Sequence, residues 1–111
     1  MPKQYNYQVH SNIMKALKRS NDIMPGSKFT TLDGNILCMV KSFSDSGYDF
    51  FMSDKELAEV NITSEKTIQR SIKRLCEAGL LKTRDEHYGF KRSRHITYQP
   101  EALQHLLDQE I

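Results

Sequence analysis

The chain has 111 residues, with 16 Lys and Arg against 14 Asp and Glu, a net charge of +2 and two cysteines. That length supports one domain around one core, and so near a balance of charge excludes a protein whose bulk charge alone announces nucleic acid. Met1 to His10 has no apolar signal-peptide core, and no apolar run approaches the roughly 20 residues that cross a bilayer. Cys38 and Cys76 sit inside apolar helical patterns, as buried free thiols of a reducing compartment do. A soluble, cytoplasmic protein is expected.

In chain order, residues 1–8 form a polar arm with Tyr5 and Tyr7. Val9, Ile13 and Leu17 then recur every four residues, which predicts a short amphipathic helix over about 10–20. That helix either covers the core or serves dimerisation or the DNA backbone. Pro25-Gly26-Ser27 breaks the chain. Phe29 to Leu32 is extended, Asp33 is a cap candidate, and Ile36, Leu37, Val40 and Phe43 lay an apolar stripe on a helix from Leu32 to Phe43. Phe50-Phe51-Met52 is a short apolar strand candidate.

The stretch from Ser53 carries more information. Ser53 with Glu56 three residues on is a capping box, followed by a short helix whose apolar side is Leu57, Ala58 and Val60. Asn61-Ile62-Thr63 interrupts it, with Asn61 the residue expected to take an unusual turn conformation. A second helix, capped by Thr63 or Ser64, runs to about Ala78 and buries Ile68, Ile72, Leu75 and Cys76. Gly79 stops it. Leu80 to Arg84 is expected as a strand, His87 to Phe90 contains the turn, and Lys91 to Tyr98 is the returning strand. Pro100 opens a final helix with Ala102, Leu103, Leu106 and Leu107 on one side. That stripe either packs on its own domain or pairs with a second copy.

Two short helices joined by a tight turn and followed by a hairpin resemble the winged helix-turn-helix domains of bacterial plasmid and phage proteins, particularly replication initiators and small regulators. The resemblance rests on Ser53 to Ala58, Ser64 to Leu75 and Glu77 to Leu81, and with the preceding helix covers roughly two thirds of the chain. One departure is Asn61, where such domains commonly carry glycine. The expected architecture is α+β and mostly α: an N-terminal arm and short helix over 1–28, a winged domain over 29–99 with a three-helix core, and a C-terminal helix over 100–111.

The resemblance implies sequence-specific binding of double-stranded DNA by a mobile-element protein acting in replication, transfer or transcription, the second helix in the major groove and the hairpin on the adjacent backbone or minor groove. Arg70 can fork onto guanine and Gln69 onto adenine. Thr63, Ser64, Lys66 and Thr67 lie at the helix start, and Lys73 and Arg74 further along meet the backbone. Tyr88, Lys91, Arg92 and Arg94 supply the hairpin's contacts, although Tyr88 and Phe90 could equally pack on the domain. Between Lys82 and Arg94 there are five basic residues against two acidic ones, and from Met1 to Lys28 five against one, so positive charge collects in the hairpin and the N-terminal segment. Partners implied are duplex DNA, a second copy through the N- or C-terminal helix, and replication or transfer proteins. The alternative is a protein-interaction module using the terminal helices without DNA. RNA binding would want more aromatics for stacking than Tyr5, Tyr7 and Tyr88.

No catalytic, cofactor or metal chemistry is expected. His10, His87, His95 and His105 are scattered, none at ligand spacing with another or with a cysteine, and His95 is expected to be exposed on its strand. The five glycines are isolated turn residues rather than a phosphate loop.

Overall fold

The computed structural model describes residues 7–23, 28–89 and 91–108. The arm before Tyr7, the Pro25-Gly26-Ser27 break, Phe90 and the last three residues lie outside them. In order the elements are α1 (Tyr7–Ile23), α2 (Thr31–Asp45), α3 (Asp54–Val60), α4 (Glu65–Glu77), β1 (Leu81–Tyr88), β2 (Lys91–Tyr98) and α5 (Pro100–Asp108). Helices around a single antiparallel hairpin make a winged-helix-like α+β fold.

Each helix begins and ends for a local reason. Ser53 caps α3 in the predicted box: its Oγ accepts from the Glu56 amide at 3.1 Å, and the Glu56 carboxylate accepts from the Ser53 amide at 3.3 Å. A second box opens α2. Thr30 is its cap, and Asp33, expected as the cap itself, is the residue three positions in that reaches back to the Thr30 amide at 3.0 Å. Ser64 caps α4, its Oγ accepting from the Thr67 amide. At the other end of α4, Leu80 N–H donates to Leu75 C=O and Gly79 N–H to Cys76 C=O, with Gly79 at φ +77°. This paired closure needs a left-handed residue just past the helix, which is why glycine stands there.

The same closure ends α3, and there the expectation fails. Thr63 N–H donates to Ala58 C=O at 2.9 Å and Ile62 N–H to Glu59 C=O at 3.4 Å. The left-handed position is therefore Ile62, at φ +54°, while Asn61 keeps an ordinary φ of −97°. Asn61 instead bonds its side chain to Leu57 C=O. Val60, assigned to the apolar side of α3, is exposed.

The core is one cluster to which every element contributes: Ile13 and Leu17 of α1, Ile36, Leu37 and Val40 of α2, Leu57 of α3, Ile68, Ile72 and Leu75 of α4, Leu81 of β1, Ile96 of β2, and Leu103 and Leu106 of α5. α1 is longer than the 10–20 predicted, and it lies against both α2 and α5. The approach to α2 is close at Gly34, where a Cβ would stand 2.1 Å from Met14 Sδ. Of the two readings of α5, packing on the chain's own domain is the one observed; Leu103 and Leu106 are buried in the common core, α5 lies against α1, and Arg19 donates to Leu107 C=O at 3.2 Å. The hairpin pairs Leu81 with Tyr98 through to Tyr88 with Lys91; β2 spans the expected residues, and β1 runs four residues further toward the tip than Arg84, where it was expected to end. The small strand expected at 50–52 is a single bridge from Phe50 to Ile96.

One polar group interrupts this core. Asp33 is fully buried and accepts from Ser71 Oγ, from Arg74 Nε at 2.7 Å and from Arg74 Nη2 at 3.3 Å. A buried carboxylate is tolerated only when paired and hydrogen-bonded, and here both oxygens are occupied. Breaking such a pair leaves one uncompensated charge. Asp33→Ala is expected to lower unfolding stability by about 3 kcal/mol, read as a shift of the urea midpoint at unchanged slope.

Candidate nucleic-acid interface

The side of α4 opposite Ile68, Ser71, Ile72 and Leu75 carries the candidate contacts. Lys66, Gln69, Arg70 and Lys73 are all exposed, at spacings of three and four that put them on one face. Lys66 and Arg70 enter no ion pair among the described residues. Lys73 approaches Glu77 at 3.9 Å with both side chains largely in solvent, a contact that holds it only weakly. Ser64 is exposed and Thr63 and Thr67 are half-buried at the helix start. The Ser64 and Thr67 hydroxyls lie 2.9 Å apart and share a hydrogen bond. Glu65 stands among them, where the positive end of the helix favours an acid.

Two predicted contacts are committed elsewhere. Arg74 belongs to the Asp33 network: at three positions past Ser71 it is on the edge of α4 that meets α2. Arg94 clamps β2 onto the start of α3, its Nη1 donating to Asp54 Oδ1 at 2.6 Å and its Nη2 to Met52 C=O at 3.0 Å. Both guanidiniums serve the scaffold that presents the surface. The side chains of Tyr88, Lys91 and Arg92 lie outside the described residues; their strand positions set them at the turn end of the hairpin, Tyr88 opposite Lys91 and Arg92 opposite His87.

β1 follows directly from the end of α4 and packs against it, so the exposed helix face and the root of the hairpin are neighbours. Lys82 and Arg84, near that root, are exposed. They were outside the predicted contact set, and only their place between helix and hairpin tip identifies them. His95 is corrected. It is buried, because the bridge from Phe50 to Ile96 brings the neighbouring Phe51 ring edge-on against the imidazole, 4.3 Å between centroids. Tyr98 is tied the other way, its hydroxyl donating to Asp45 at 3.0 Å; burial, then that bond, raises its pKa.

Among the described residues no group of three or more His, Cys, Asp and Glu could hold a metal, and no helix is long and apolar enough to cross a membrane. An apolar cleft of about 340 Å³ lies between α1, α2 and the end of α3, lined by His10, Cys38, Met39, Phe43 and Asn61 among others.

No family model and no curated protein matches the chain. Among solved structures, that of a possible transcriptional regulator from Methanosarcina mazei Go1 is similar, with a TM-score of 0.53 over 96% of this chain and 85% of that one, at 19% identity. The likeness is one of fold.

The thiols sharpen one further expectation. Both cysteines are half-buried rather than fully buried. Burial pushes the Cys38 thiol up to about 11, against a smaller lowering by Lys41. Reaction needs the thiolate, so Cys38 should alkylate with iodoacetamide very slowly at pH 8 and about tenfold faster per pH unit until near 11. Residue-resolved mass spectrometry of the folded protein reads this.

Proposed function

We propose that this protein binds double-stranded DNA sequence-specifically, as a regulator, with α4 in the major groove and the hairpin on the adjacent backbone or minor groove. The observation that carries the reading is the exposed row Lys66, Gln69, Arg70 and Lys73, set on a helix whose other side is anchored in the core and whose end runs straight into the hairpin. Arg70 and Gln69 offer planar forks to base edges, Lys66 and Lys73 offer point charges to phosphates. The structural likeness to a possible transcriptional regulator supports the same class of role. No enzymatic step is assigned. Replication or transfer of a mobile element is the finer context we propose, on the sequence resemblance alone.

A protein-interaction module built on the terminal helices is the weaker reading, since the apolar stripes of α1 and α5 are used against each other and the core. A dimer on paired half-sites would have to form through other surfaces of those helices.

Selection of bound duplexes from a random pool tests the proposal: an enriched motif supports it, and its symmetry reports whether two copies bind. Against the selected site, Arg70→Ala should cost about 1–3 kcal/mol with little change on random duplex. Arg92→Ala should weaken both and reduce the salt-dependence slope by about one. Equal losses on cognate and random DNA for Arg70→Ala would show that α4 does not read sequence.

A further inference from the structure

Ile62 is the one non-glycine residue at positive φ among the described residues. Among the described residues it is also the most exposed large hydrophobic one, at 93%. A single exposed isoleucine is ordinary on a protein surface, but one held at a left-handed φ is costly. A β-branched side chain in the left-handed region crowds its own backbone, and an isoleucine in open water gains nothing from burial. Glycine, or the asparagine that stands one position earlier, would close the same turn without strain. Where the other two such closures occur, at Gly47 and Gly79, glycine is what the chain uses. At 93% exposure the side chain buries almost no surface against the described residues to offset that cost.

Its position suggests what does. Ile62 lies two residues before Ser64, the cap of α4, so its Cα is within about 7.6 Å of the Ser64 Cα. That is the end of α4 that meets base edges when such a helix lies in a major groove. Every other exposed group at this end is polar or charged: Ser64, Glu65, Lys66, and Arg70 one turn further. Val60, 57% exposed, extends the apolar spot behind Ile62. On the floor of a major groove the apolar feature that distinguishes one base pair from another is the thymine C5-methyl group. We infer that Ile62 is a specificity residue, held outward by the turn between α3 and α4 to contact a thymine methyl beside the bases met by α4.

The inference rests on the DNA-binding reading above and adds a ligand atom to it. The test uses the full chain and a duplex selected from a random pool, with each thymine in turn replaced by uracil, which removes only the methyl. One replacement should weaken the native protein about four-fold, the value of one buried methyl. Ile62→Gly and Ile62→Asn should bind the thymine and uracil duplexes equally. Both variants should unfold at a higher temperature than the native protein, since each relieves the strained φ. Loss of affinity alongside a gain in stability separates a ligand contact from a structural role. A selected duplex indifferent to every uracil replacement, or a uracil penalty retained in Ile62→Gly, overturns the assignment while leaving DNA binding intact. A pool that yields no bound duplex overturns both together.

Discussion

The buried carboxylate of Asp33 is the constraint on which the presentation of α4 depends. It binds its own helix through the Thr30 amide and binds α4 through Ser71 and Arg74, so one side chain joins the start of α2 to the middle of the candidate recognition helix. Apolar contacts from Ile68, Ile72 and Leu75 hold α4 against the core but are non-directional. A helix packed by dispersion alone can shift along its partner at modest cost. The bidentate fork from Arg74 has one geometry, and it fixes register where greasy contacts do not.

The hairpin is fastened in a comparable way. Two strands by themselves are marginal in water, and this pair is secured where β2 passes the rest of the fold. Ile96 N–H donates to Phe50 C=O at 3.1 Å, Arg94 grips Asp54 and the Met52 carbonyl, and Gln99 N–H closes on Leu80 C=O at 2.9 Å. The ion pair also ties the hairpin to the start of α3, next to the Ser53 box. Helix and hairpin are thereby mounted on the same frame, each through an arginine.

How much of this was legible in the sequence depended on how local the cause was. The Ser53–Glu56 box, the apolar stripe of α4 and the Gly79 stop are written within a few residues of each other, and all three form, with Cys76 alone of the stripe left half-buried. The exposed row Lys66, Gln69, Arg70 and Lys73 follows from the same periodicity. Arg74 and Arg94 could not be placed that way, because their partners lie 41 and 40 residues away and nothing in either neighbourhood announces them. Asp33 was assigned to the right helix start in the wrong role, since a cap and the third residue of a box use the same side chain types. Ile62 was missed for a different reason. Propensity assigned the strained turn position to Asn61, and the chain placed it one residue later, on a side chain that propensity would exclude.

The division of α4 into a pinned side and a free side has an evolutionary consequence. Ile68, Ser71, Ile72, Arg74 and Leu75 are constrained by what they touch, whereas Lys66, Gln69, Arg70 and Lys73 touch little within the chain. Substitutions at well-separated sites that share no partners act nearly independently on stability. A lineage carrying this fold can therefore exchange its outward residues, and drift from one target to another, without first having to refold.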